Sequence, residues 1–165
     1  DSTASPVDRC KIALASLERQ FLFSNLNSFI IFLCKNKSVD YSQTTGSGKN
    51  VIHLLAQKRY DSRFTGMLIR CIDKLNYAKR IALLMARDNA NKLPVSYAIY
   101  FNKKLAWYLI KQKAWDLDSF KNFFNGRALS TYYASKWFNH FYNNRPADVD
   151  DRSLKDISNY YFDKL

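Results

Sequence analysis

The stretch Gln43-Thr-Thr-Gly-Ser-Gly-Lys-Asn50 is where the chain comes nearest to announcing a reaction. A Walker-type phosphate loop reads Gly, four residues, Gly-Lys, then Ser or Thr. Its backbone amides wrap the phosphates, its lysine grips them and its hydroxyl ligates magnesium. Gly48-Lys49 fits that frame, but Gln43 stands where the first small residue belongs and Asn50 where the hydroxyl belongs. Such a loop also needs a buried strand before it and a helix N-terminus after it. The residues before Gln43 read instead as a helix followed by KNKSVDYS, and no acidic strand end for magnesium comes later. A turn is expected here, with no nucleotide bound.

The other reactive side chains are equally isolated. His53 would need a nucleophile as partner, yet no Cys-His pair, carboxylate pair or Gly-x-Ser-x-Gly elbow supplies the geometry of a reaction. His140 sits in the aromatic run WFNHFYNN and reads as a packed or half-exposed residue. Cys10, Cys34 and Cys71 lack metal-type spacing, and their odd number argues against a fully paired disulfide framework. The expectation is a non-enzymatic protein without catalytic, cofactor-binding or metal-ligating residues, kept in a reducing compartment.

The elements that must carry these residues are helices. With 165 residues, 47% of them apolar, the chain is long enough for a real core and for one domain. Apolar residues recur at helical spacing in short segments separated by polar clusters: CKIALASLERQFL, VIHLLAQ, TGMLIRCIDKL, VSYAIYF, KLAWYLIKQ, LSTYYASKWFNHFY and SLKDISNYYF. The run FIIFLC from Phe29 is far shorter than the roughly 20 residues that span a bilayer, and reads as a core helix. The start DSTASP, without Met or signal peptide, reads as a cut end, and the chain as one domain of a longer protein.

Charge is unevenly placed. The formal net charge is +12, and residues 48 to 87 carry most of it, with nine Lys or Arg against two Asp. A positive surface favours nucleic acid, anionic membrane or an acidic protein partner without choosing among them. Aromatic residues interleave with basic ones in NKKLAWYLIKQKAW and RALSTYYASKWFNHFYNNR, a combination that single-stranded nucleic-acid binders use. Rings at helical spacing, here Trp107, Trp115, Trp137 and Phe138, read first as core.

Internal similarity separates a bundle from a solenoid. Val39-Asp40, Leu117-Asp118 and Val149-Asp150 recur in phase, two of them nine residues before Gly48 and Gly126, and imply a period in the thirties. GKNVIHLLA (48 to 56) resembles the ankyrin-repeat signature Gly-x-Thr-Pro-Leu-His-x-Ala-Ala. DNANKLPVSYAI (88 to 99) is similar, with Asn91 in place of Gly, and NGRALSTYYA (125 to 134) is a degenerate third match. SVDYS and ADVDD resemble the segments that leave one repeat's outer helix for the next finger. The unit from 48 to 91 runs 43 residues, longer than the usual ~33, so an insertion or a lengthened outer helix is expected around NYAKRIALLMA.

The resemblance implies an all-α solenoid of stacked helix-turn-helix repeats with short hairpin fingers. The units fall at 7–38, 39–81, 82–116 and 117–148, with a capping helix at 149–165. In it Gly46 and Gly48 supply positive backbone angles, Asn50 caps the helix starting at Val51, and His53 hydrogen-bonds within and between fingers. Ala56 and Ala98 lie where inner helices stack. It implies a protein partner with an acidic patch, bound by Ser47, Lys49, Gln57 and Lys58 of one repeat and Asn89, Lys92, Tyr97 and Tyr100 of the next. Divergent modules of this style resemble those of intracellular bacterial effectors and viral host-modulating proteins, which implies the host cytosol or nucleus. The competing expectations are a basic helical repeat that binds nucleic acid and, behind it, a nucleotide-hydrolysing enzyme gripping phosphate with Lys49.

Overall fold

A computed structural model describes residues 23–36, 40–58, 62–120 and 139–149, with residues 152 and 155 as single helical positions. These residues are all-helical, with no strand among them. The elements are α1 (Phe23–Lys35), α2 (Val51–Ala56), α3 (Ser62–Asp73), α4 (Tyr77–Leu84), α5 (Pro94–Phe101), α6 (Lys103–Lys111) and a 3-10 turn, Leu117–Phe120. The first and last expected helical segments, most of LSTYYASKWFNHFY and the third repeat match at 125–134 lie outside the described residues.

The helices pack in two rows. The short helices α2 and α5 lie against each other, and the longer α1, α3 and α6 pack in that order, with α5 also on α6. Composition sets which row a helix joins. All six residues of α2 are buried, from Val51 to Ala56, as befits a helix that is apolar on every side. α3 buries Thr65, Leu68 and Ile72, a single face at helical spacing, packs Phe64, Met67 and Ile69 half-buried beside it, and exposes Ser62, Arg63, Arg70 and Asp73. In α6 the run Leu105 to Ile110 is buried, while Lys103, Lys104 and Lys111 keep the ends in water. Ala56 and Ala98 are both fully buried, and each lies on one of the two contacting short helices.

Several polar side chains stop and start these helices. Asn102 is the only residue between α5 and α6. Its N–H donates to Ala98 O at 2.8 Å and its Oδ1 accepts from Leu105 N at 3.2 Å, closing one helix and opening the next. Tyr108 of α6 donates its hydroxyl to Asp73 Oδ1 at 2.7 Å, which fastens α6 to the end of α3. Trp107 stacks on Phe141 with ring centroids 4.1 Å apart, carrying the core onto the segment 139–149.

The insertion expected around NYAKRIALLMA is a separate helix. Asn76 caps α4 by accepting from Lys79 N at 2.8 Å, so α3 ends and a new helix begins where a lengthened α3 was the other possibility. The expected unit boundary between 81 and 82 falls inside α4. No described helix is long and apolar enough to cross a membrane.

Candidate functional site

Two tight turns, 45–49 and 88–92, lead into α2 and α5. In the first, Thr45 N–H donates to Lys49 O and Gly48 N–H to Thr45 O, both at 2.9 Å. In the second, Asp88 N–H donates to Lys92 O at 3.0 Å and Asn91 N–H to Asp88 O at 2.9 Å. Gly48 and Asn91 occupy the same place in each turn, with φ of 77° and 60°, the left-handed region that glycine and asparagine tolerate. Gly46 has no positive φ, contrary to the expectation for it, and a Cβ there would meet only open space. A Cβ on Gly48 would run into the side chain of Asn89 and, at 2.9 Å, its backbone nitrogen.

That near-clash exists because the turns are bonded to each other. Asn89 donates its backbone N–H to Ser47 O and its side-chain Nδ2 to Gly46 O, both at 3.0 Å. Below the tips His53 makes a second link. Its Nδ1 accepts from Asn50 N–H at 3.2 Å, which places the proton on Nε2, and Nε2 lies 2.9 Å from Lys92 O in the other turn. The ring is fully buried, and burial pulls its pKa below the ordinary 6.5, so the imidazole is neutral. The bond to Lys92 O and the nearby Asp88 charge oppose that shift without cancelling it.

Asn50 acts as expected at the start of α2. Its Oδ1 accepts from Ile52 N at 2.9 Å and His53 N at 3.0 Å, and its Nδ2 donates to Leu83 O of α4 at 2.9 Å. The amides that a phosphate would need at this six-residue helix are therefore already taken. Lys49 does not reach over the loop either. Its Nζ lies 5.2 Å from the centroid of the Tyr97 ring, and Lys92 Nζ lies 5.7 Å from the same centroid. An ammonium at that range is held by the negative face of an aromatic ring.

Tyr97 in turn donates its hydroxyl to Asp88 Oδ2, while Asp88 Oδ1 accepts from Ala90 N at 3.0 Å and Lys92 N at 2.9 Å. Burial alone would raise the Asp88 pKa, but the Tyr97 hydroxyl and the backbone N–H groups outweigh it and hold the carboxyl below its usual range. The phenol is pushed up, by burial first and by Asp88 second, and keeps its proton. The result is an ionised, buried carboxylate beneath a neutral ring that carries two lysines.

Of the eight residues expected to bind a partner, the structure brings Lys49, Lys92 and Tyr97 together and joins Ser47 to Asn89 through the backbone. Gln57 closes α2, its N–H bonded to Leu54 O at 3.2 Å, and Tyr100 is half-buried with its ring tilted against Phe101. Lys58 departs from its expected exposure: it is 7% exposed, and burial, with Lys49 second, lowers its pKa. Its aliphatic stem lets a lysine next to a buried helix lie along apolar surface. Asp88 was legible as the opening of a turn, but not as the anchor of Tyr97 nine residues on.

Two further features escaped sequence reasoning. A cleft of about 590 Å³ lies between residues 40–44 and α4, with Tyr41, Leu75, Leu83 and Lys79 in its wall. Cys34 of α1 and Cys71 of α3 meet across the outer row. Among the described residues no group of three or more His, Cys, Asp or Glu is placed to hold a metal ion. No family model matches the chain, and neither the curated proteins nor the solved structures give a match.

Proposed function

We propose that this chain is an ankyrin-like, non-enzymatic module that recognises an acidic patch on a partner protein. One observation carries the reading. Two turns 43 residues apart repeat the same backbone path, bond to each other, and bring Lys49 and Lys92 over a single ring. Stacked repeats use such tips as a continuous surface, with the buried helices acting as scaffold. The basic charge of residues 48 to 87, the stretch of chain that joins the two turns, would steer an acidic partner towards this domain. Lys58, 7% exposed, recedes from the proposed interface, which centres on Lys49, Lys92 and Tyr97.

The test is the double reversal Lys49→Glu with Lys92→Glu, measured as association kinetics with a partner captured by the intact chain. Helical content should stay that of the parent and melting should fall only slightly, because each half-buried lysine's contact with the Tyr97 ring contributes about 0.5–1 kcal/mol. The association rate should fall about tenfold or more, and its dependence on salt should weaken. An unchanged rate and affinity overturn the reading. Binding to arbitrary nucleic acid with a steep loss of affinity as salt rises would instead favour phosphate recognition.

A further inference from the structure

We infer that Cys34 and Cys71 form a modification site, a dithiol that closes to an intrachain disulfide and ties α1 to α3. The two residues stand on neighbouring helices of the outer row, 37 positions apart in sequence. The Cys34 Sγ lies 3.6 Å from Met67 O, the carbonyl one helical turn before Cys71, so it faces the turn of α3 that carries the second cysteine, and the two thiols are near enough to act on each other electrostatically. Both side chains are half-buried and neither is bonded to another cysteine. From there the ~2.05 Å sulfur–sulfur bond is closed by rotating the two side chains towards each other on helices that are already packed together.

The oxidant is a low-molecular-weight disulfide such as oxidised glutathione. Burial and the neighbouring Cys71 push the Cys34 thiol up, so it keeps its proton at neutral pH and the opening attack falls to Cys71. The Cys71 thiolate displaces one glutathione thiolate and carries the other half as a mixed disulfide. Cys34 then gives its proton to water and displaces the second glutathione thiolate, forming the Cys34–Cys71 bond. The balance is two protein thiols oxidised and one oxidised glutathione reduced to two thiols, with both protons ending on glutathione. Contact between the pair gives the second step its advantage over attack by free thiols in solution.

The consequence is a clamp on the first described helix of the outer row, which closes a loop containing α2 and the 45–49 turn. A cross-link of that span restricts the unfolded chain and should raise the melting temperature by roughly 5–15 °C.

The folded, unmodified chain is equilibrated in glutathione buffers of graded potential, acid-quenched, alkylated and mapped by peptide mass under non-reducing conditions. The expected product has lost two hydrogens, joins the peptide of Cys34 to that of Cys71, and melts higher than the reduced chain. Cys34→Ser should stop at a glutathione adduct on Cys71 and show no oxidant-dependent rise in melting temperature. Stable glutathione adducts on both cysteines of the unmodified chain, a bond from either to Cys10, or two thiols that stay free at oxidising potential each overturn the proposal. The peptide map decides even if the serine variant folds poorly, because it is read on the natural sequence.

Discussion

The turns at 45–49 and 88–92 follow one backbone path while sharing a single residue type, the lysine at Lys49 and Lys92. The first is made of small residues: Gly48 takes the left-handed position freely, and Thr45 Oγ1 bonds Ser47 Oγ at 2.9 Å. The second is made of polar side chains, with Asn91 in the left-handed position and the Asp88 carboxylate gathering Ala90 N, Lys92 N and the Tyr97 hydroxyl. Their helices start differently too. Asn50 caps α2 with its side chain, whereas Leu93 makes no side-chain cap and Pro94 presets the first turn of α5. The fold demands a backbone path, and different chemistries satisfy it with different sensitivities.

The largest asymmetry is at His53. At the equivalent distance beyond the second turn stands Ser96, too short to reach onward as His53 reaches Lys92. There the connection to the following segment includes the ion pair of Arg87 with Asp116. Both side chains are partly exposed, and such pairs contribute little to stability. Replacing His53 by Ala leaves Asn50 N–H buried without a partner, strips Lys92 O of one of its two bonds and opens a cavity. A loss of about 3 kcal/mol in urea unfolding is expected, against under about 1 kcal/mol for Ser96→Ala. Equal losses would erase the contrast between the units.

Next comes the left-handed position. Gly48→Ala should cost about 2 kcal/mol, because its φ is unfavourable for a side chain and the new Cβ meets Asn89. Gly46→Ala, two residues away in the same turn, should fall within about 0.5 kcal/mol in the same melting experiment. A smaller effect is expected in the second turn. Tyr97→Phe removes the hydroxyl from a buried carboxylate and should cost about 1.5 kcal/mol. Hydrogen exchange at Ala90 and Lys92 should quicken while that at Gly48 stays unchanged; acceleration at both turns would mean that they open together.

The smallest effect is one of pH. Burial holds the His53 pKa below 6.5 in the folded chain, so just below 6.5 the unfolded chain carries a proton on this ring that the folded chain does not. Stability therefore falls as pH drops below about 6.5, by at most about 1.4 kcal/mol per pH unit. In urea titrations at a series of pH values His53→Ala should lack this slope. A slope that survives the substitution would assign it to another group.

Much of this was legible in local sequence. Asn50 and His53, three residues apart, spell a helix start; Gly48 and Asn91 mark left-handed turns; and VIHLLA, at six residues, is too apolar to lie on a surface. What stayed hidden depends on long-range packing. Around NYAKRIALLMA an insertion and a lengthened outer helix were equally open, because the choice depends on where the apolar face can go, and Leu83 and Leu84 are buried in a separate helix that Asn76 caps. The burial of Lys58 and the meeting of Cys34 with Cys71 arise from neighbours many residues distant, and no local periodicity encodes them.

The two links between the turns sit at different heights, Asn89 on Ser47 and Gly46 near the tips, and His53 on Lys92 O where the turn meets the helix. A body pinned at one point can pivot about it; pinned at two, it resists torque. The pair of turns is thus a plate, not two independent levers, and force applied to one tip is passed to the other through one backbone bond and two side chains. On the proposed reading, the separation of the Lys49 and Lys92 Cα atoms would be a fixed ruler for a partner's charges. A partner that fits that spacing would bind without bending the scaffold, and one that does not would have to supply the work of breaking a hinge that has been bolted shut.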